Sequence, residues 1–145
     1  MNELSFSFNS PVQQDILFKT ITDFENLPTY LPNQLKEIKI LEKTPNSIIT
    51  EETIFFKTIF KKTFKQKSSH KISSNQINTQ IISGPSKGTE ITITLQNREN
   101  GTKVDINTNL KLEFKYKILT PLIKKYYSAV LTGIMYKIIN SIGSH

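Results

Sequence analysis

The sequence has no cysteine and no tryptophan, only five glycines, and a single arginine, Arg98. Without thiols there is neither a disulfide framework nor thiolate chemistry, and a cytoplasmic location is expected. Histidine is nearly as scarce: His145 is terminal, which leaves His70 as the interior candidate base. So thin a supply of His, Cys and clustered carboxylates does not make a metal site, and no cofactor is expected. Glu51 and Glu52 are neighbours, but adjacent strand residues point to opposite faces and cannot work as a carboxylate pair. No Gly-rich phosphate loop, dinucleotide fingerprint or G-x-S-x-G turn occurs. No apolar run reaches the roughly 18 residues of a membrane span. The opening Met-Asn-Glu-Leu-Ser-Phe-Ser-Phe has neither the basic nor the apolar region of a secretory signal.

A length of 145 residues suits one domain, and a single domain over 1–145 is expected. The formal charge of +7 comes from lysine in a chain rich in isoleucine and asparagine. We read it as composition rather than as a nucleic-acid signal. A lysine surface without arginine lacks the bidentate fork that reads phosphate and guanine, so no nucleic-acid partner is expected.

What the chain does have is a strong helical period at its end. Leu119, Leu122, Ile123, Tyr126, Tyr127, Val130, Leu131, Ile134, Met135, Ile138 and Ile142 recur at three- and four-residue steps. Pro121 suits the first turn and Gly143 the far end. At 1.5 Å per residue such a helix is roughly 35 Å long. Its wide apolar stripe needs a large apolar surface to lie on.

The preceding chain supplies that surface. Leu4, Phe6 and Phe8 alternate with polar residues as a half-buried strand. Ser10-Pro11 then reads as the N-cap and first residue of a helix with the stripe Val12, Ile16, Leu17, Thr20, Ile21 and Phe24. Pro28 and Pro32 restrict the next segment to a short helical turn. Its backbone is left with few local partners, and its Leu27, Tyr30 and Leu31 read either as a lid past which a ligand enters or as static core plugs.

From Leu35 the period becomes two. Lys36–Lys43 and Ser47–Phe56 form a hairpin at Pro45-Asn46. In Lys61–Ile72 the odd positions are a basic row, and the even ones are Phe64, Gln66, Ser68, His70 and Ile72. Ile77, Thr79 and Ile81 share a face, as do Ile91, Ile93 and Leu95, and Asn100-Gly101 signals a hairpin. Val104, Ile106, Thr108, Leu110, Leu112 and Phe114 are the inward face of the last strand. Val104, Ile106, Leu110 and Tyr127 are expected to be buried; Asp105, Asn107 and Lys124 are expected to be exposed.

The element order resembles the helix-grip fold of the START-like (SRPBCC) superfamily, in its coenzyme Q-binding or polyketide-cyclase-like branch. The matching segments are Thr22-Asp23-Phe24-Glu25-Asn26-Leu27-Pro28-Thr29-Tyr30-Leu31-Pro32, Ile82-Ser83-Gly84-Pro85 and Gly101-Thr102-Lys103-Val104. The tryptophan common after the Gly-Pro turn is absent, with Ile91 or Ile93 in its place. The resemblance implies an α+β fold: a curved seven-stranded antiparallel sheet wrapped around a long C-terminal helix, with two short helices after the first strand.

It also implies a cavity between sheet and helix that binds a hydrophobic small molecule, a lipid or quinone-like isoprenoid. Its walls would be Tyr30, Phe64, Gln66, Ser68, His70, Ile81, Ile93, Ile106, Tyr126, Tyr127, Val130 and Met135. For the aromatics the alternative is ordinary core. Gln66, Ser68 and His70 either stand wet at the open end of the sheet or must be hydrogen-bonded, to one another or to a ligand head group. Two other readings stay open. One is a polyketide cyclase or dehydratase with His70 and a tyrosine as acid and base. The other is a basic surface, from Lys57, Lys61, Lys62, Lys65, Lys67 and Lys71, in peripheral contact with an anionic membrane.

Overall fold

The computed structural model describes residues 2–56 and 62–143. In chain order it has β1 (Glu3–Ser10), α1 (Gln14–Ile21), a 3₁₀ turn (Phe24–Thr29), β2 (Leu35–Lys43) and β3 (Ser47–Phe56). Next come β4 (Lys62–Ile72), β5 (Gln76–Ser83), β6 (Glu90–Arg98), β7 (Gly101–Asn109), a second 3₁₀ turn (Phe114–Leu119) and α2 (Thr120–Gly143). The strands form one seven-stranded sheet in the order β1-β7-β6-β5-β4-β3-β2, antiparallel throughout. This is the helix-grip arrangement.

Period-two patterning decides which side chains face α2. Along β3 burial alternates strictly, with Ile48, Thr50, Glu52, Ile54 and Phe56 turned inward. In β4, Gln66, Ser68 and His70 are buried, whereas Thr63, Lys65, Lys67 and Lys71 are exposed. The basic row is thus a solvated outer face, and Lys65 Nζ lies 3.8 Å from Glu51. Lys57 and Lys61, and the side chain of Lys62, lie outside the described residues. Val104, Ile106, Leu110 and Tyr127 are buried and Asn107 is exposed, as their periods require; Asp105 and Lys124 are half-buried instead of exposed. From α2, Ile123, Tyr127, Val130, Met135 and Ile138 enter the core.

The boundaries differ from the sequence reading at two places. The first helix starts at Gln14, not at Pro11, and Ser10 does not cap it. Ser10 pairs with Thr102 as the last residue of β1, and its Oγ accepts from the Val12 amide at 3.0 Å. The ladder with β7 holds Ser10 in the sheet, so the chain needs a turn before it can coil. The last strand is also shorter than its alternation suggests. Both neighbours of β7 end at Asn109, paired with Glu3 and with Glu90, so no ladder exists beyond it. Leu110 and Leu112 remain buried, but Phe114 is 87% exposed at the head of the second 3₁₀ turn.

Gly101 opens β7 at φ +143°, just after the Glu99-Asn100 turn. A Cβ there would collide with the Ser10 carbonyl oxygen and stand 2.8 Å from Pro11 Cα, so only glycine lets the β6–β7 hairpin cross the end of β1. Gly101→Ala should cost on the order of 3 kcal/mol. In a domain of this size that corresponds to a thermal midpoint roughly 6–12 °C lower, measurable by circular dichroism.

Candidate functional site

Between the concave sheet and α2 lies a cavity of about 150 Å³. Its sheet walls are mainly isoleucines, among them Ile38, Ile54, Ile77, Ile81, Ile91 and Ile93. Helix α2 adds Tyr126, Tyr127, Val130 and Leu131, and the segment after α1 adds Phe24 and Leu27. One part of the wall is polar: Thr50, Glu52, Gln66, Ser68, His70 and Thr79. A larger concavity, about 640 Å³, lies on the outer sheet face beside Ser69, Lys71, Asn78 and Glu90. Its walls are mostly polar and solvated, so it lacks the apolar enclosure that a ligand pocket needs.

The polar cluster is a product of strand register. Glu52 is opposite Gln66, Thr50 is opposite Ser68, and His70 is opposite Thr79. Direct and diagonal neighbours on one face come within side-chain reach. The Thr50 hydroxyl donates to Glu52 Oε2 at 2.7 Å, while Gln66 Nε2 donates to Oε1 at 3.2 Å. Ser68 also donates to Oε1. His70 Nε2 lies 2.8 Å from Thr50 Oγ1, and its Nδ1 lies 2.7 Å from Thr79 Oγ1. Phe24 stacks on the imidazole at a centroid distance of 4.1 Å. The Tyr127 hydroxyl donates to Gln66 Oε1 at 3.3 Å, and that of Tyr126 to the Gln34 carbonyl at 2.8 Å.

All the donors to Glu52 are neutral. Among the described residues the ion pairs are Lys39–Glu37, Lys65–Glu51 and Lys103–Asp105, and none reaches it. Burial therefore raises its pKa, with Glu51 adding to the rise and the three hydrogen bonds opposing it. Burial lowers His70 to about 4, so the imidazole is neutral near pH 7. Burial raises both tyrosines, which stay as neutral phenols. Among the described residues no group of three or more His, Cys, Asp or Glu could hold a metal ion.

Of the residues singled out from the sequence, Gln66, Ser68, His70, Ile81, Ile93, Tyr126, Tyr127 and Val130 line this cavity. Gln66, Ser68 and His70 are buried rather than standing wet at an open end of the sheet. The others lie off the wall. Phe64 packs edge-on against Phe56 at 5.5 Å and Tyr116 at 6.2 Å. Ile106 and Met135 belong to the solid core. Tyr30, just after the first 3₁₀ turn, is half-buried against the core and borders a separate hollow with Lys19 and Glu25. The turn itself is better bonded than two prolines suggest. The Tyr30 amide donates to Leu27, and Leu31 O accepts from both Gln34 and Leu35.

Sequence reasoning missed Glu52, Thr50 and Thr79. Glu51 and Glu52 do face opposite ways, but that left unasked what Glu52 meets on its own side. The signal was present in Ile48-x-Thr50-x-Glu52-x-Ile54-x-Phe56, which puts a carboxylate in an otherwise apolar row.

Residues 10–134 match the family described as polyketide cyclase / dehydrase and lipid transport. No curated protein matches the sequence. Similar solved structures include the Zhui aromatase/cyclase from a Streptomyces species, at 8% identity and TM-score 0.79, with 97% of this chain and 94% of that one covered. A START superfamily protein from Mycobacterium smegmatis superposes with TM-score 0.78 at 13% identity, covering 98% and 97% of the two chains. A major latex-like protein from Panax ginseng gives 0.69 at 8%, covering 96% and 95%. At these identities the likeness is one of fold.

The two buried titrating groups pull stability in opposite directions with pH. Unfolded, His70 titrates near 6.5; folded, it titrates at about 4. Within that window only the unfolded chain takes the proton, so stability should fall as pH drops from 6.5 toward 4, by at most about 3 kcal/mol. Glu52, raised on folding, contributes stability that is present below its unfolded value and lost as pH rises through its folded one. Urea midpoints should show His70→Gln flattening the acid limb, and Glu52→Gln gaining on the parent protein at pH 8.

Proposed function

The chain belongs to the polyketide cyclase / dehydrase and lipid transport family, and from that premise we propose that its cavity binds a small, largely apolar molecule whose polar group meets the Glu52 cluster. The observation that carries this reading is the composition of one wall: six polar side chains, hydrogen-bonded among themselves, in a cavity otherwise made of isoleucine and aromatics. A core that served packing alone would gain by filling this space with aliphatic groups, because an ion buried without a counter-charge costs several kcal/mol. The apolar walls supply affinity and the polar patch supplies orientation.

Size narrows the ligand. Drug-sized ligands occupy pockets of roughly 300–1,000 Å³, whereas an apolar cavity near 150 Å³ takes a molecule about as large as benzene. The cavity as it stands, about 150 Å³, suits one ring. A lipid or an isoprenoid quinone would enter only if the wall formed by Phe24, Leu27 and Leu35 moved outward.

A second reading uses the same cavity for chemistry, with Glu52 and His70 as the proton-handling pair. Their hydrogen-bond connection through Thr50 is the observation that favours it. An enzyme of this kind would lose far more turnover in Glu52→Gln than the change in ligand affinity accounts for, whereas in a carrier the change in affinity would be the whole effect.

Native mass spectrometry of the purified protein, followed by solvent extraction of any adduct, tests the binding reading. Val130→Phe places a ring in the cavity, and we expect it to lose the adduct at least tenfold while its far-ultraviolet dichroism stays unchanged. An adduct retained in full by a folded Val130→Phe variant would place binding elsewhere. For a long-chain adduct, amide exchange of residues 24–35 should rise relative to the one-ring complex.

A further inference from the structure

The hydrogen bonds around Glu52 set two donors on one carboxyl oxygen and a single hydroxyl on the other. Oε1 already accepts from Gln66 Nε2 and from the Ser68 hydroxyl. A proton on Oε2, aimed at Thr50 Oγ1 2.7 Å away, leaves both of those bonds in place, whereas one on Oε1 would turn the Ser68 hydroxyl round; the Oε2 position is the one that connects to His70. From there the chain runs through His70 Nε2, at 2.8 Å from Thr50, and His70 Nδ1 to Thr79 Oγ1 at 2.7 Å. Each hydroxyl has one hydrogen, and a neutral imidazole has one N–H.

With Glu52 ionised, the Thr50 hydrogen points at Oε2. Thr50 Oγ1 then accepts from His70 Nε2–H, and the bare Nδ1 accepts the Thr79 hydrogen. With Glu52 protonated, every bond reverses. The carboxyl donates to Thr50, Thr50 donates to Nε2, and Nδ1–H donates to Thr79. The protons balance: one enters at Thr79, each group hands one on, and one arrives at Oε2. Thr79 lines the cavity, and among the described residues its hydroxyl makes no other hydrogen bond. In the first state it can offer a ligand only a lone pair. In the second its hydrogen is released.

We propose that Glu52, Thr50, His70 and Thr79 form a reversible relay in which the proton on Glu52 decides whether Thr79 presents the cavity's ligand with an acceptor or a donor. The ligand classes are one-ring alcohols for the ionised state and one-ring ketones for the protonated state. This rests on the binding reading above. The groups that face the relay leave its polarity to Glu52 alone. Tyr126 and Tyr127 from α2 are neutral phenols, Phe24 is apolar, and Ile38 stands opposite Glu52 on β2. Glu51 points to the outer face, beside Lys65.

Nitrogen-15 chemical shifts of the imidazole report its tautomer without any ligand. On lowering the pH across the Glu52 titration, His70 should pass from the Nε2–H to the Nδ1–H form. Glu52→Gln keeps an acceptor toward Ser68 and Gln66 and aims its amide N–H at Thr50, so it should hold His70 as Nδ1–H at every pH at which the imidazole is neutral. Thr50→Val should uncouple the tautomer from Glu52. A tautomer that is the same in the parent and in Glu52→Gln on both sides of the Glu52 titration, or a switch that survives Thr50→Val, overturns the relay.

Cyclohexanol and cyclohexanone are the ligand probes, titrated by calorimetry on both sides of the transition. The ratio of their affinities should move toward the ketone on acidification by about three- to tenfold, the worth of one hydrogen bond. An unmoved ratio overturns the role of Thr79. If neither probe binds while the tautomer switches, it is the binding reading that fails and the relay that stands.

Discussion

The contact between α2 and the inner face of the sheet is the interaction on which the other elements depend. A seven-stranded antiparallel sheet with one apolar face is not stable in water until that face is covered. Ile123 and Ile138 are fully buried in the contact, and Tyr127, Val130 and Met135 nearly so. Burial of side chains of this size contributes roughly 1.5–3 kcal/mol each, or about 10 kcal/mol for the helix as a whole. Twist makes the sheet concave, so a straight helix cannot fill all the space beneath it. The cavity is what remains, with walls that include β3, β4 and β5 on one side and Tyr126 and Val130 on the other.

Within that space the polar cluster sets the chemistry. A carboxylate in an apolar pocket is tolerated because Thr50, Ser68 and Gln66 each give it a hydrogen bond, and these bonds oppose but do not cancel the effect of burial on its pKa. His70 pulls the other way, held neutral by the same dry surroundings. The two groups are separated by one hydroxyl, so each feels the other's protonation as a change in hydrogen-bond direction and not as a direct charge contact. Such a pair can change state without a compensating cation. That distinguishes it from the lysine–carboxylate pairs on the outer face, which are solvated and add little.

Family membership and site geometry bear on different questions. Membership of the family fixes the architecture and the broad class, in which ring-closing enzymes and lipid carriers share a fold. Identities of 8 to 13% in the structural neighbours carry no side-chain roles across. What this chain does with its cavity must come from its own residues, and it is on those that the proposal of a small ligand with a hydrogen-bonding group rests.

The sequence by itself determined the strands, the last helix and the faces they bury, because periods of two and of 3.6 residues are local properties that survive without neighbours. The row from Phe64 to His70 read correctly for that reason, and so did Ile123 through Ile138. Tertiary structure alone decided where strands stop and which polar groups meet. Ser10 stays in β1, and β7 ends at Asn109, because ladders end where partners end. Glu52 lies 14 and 16 residues from the Gln66 and Ser68 that satisfy it, and His70 bonds Thr50 across 20. No periodicity reports such separations: they are set by strand register, which is fixed only when the whole sheet closes over its helix.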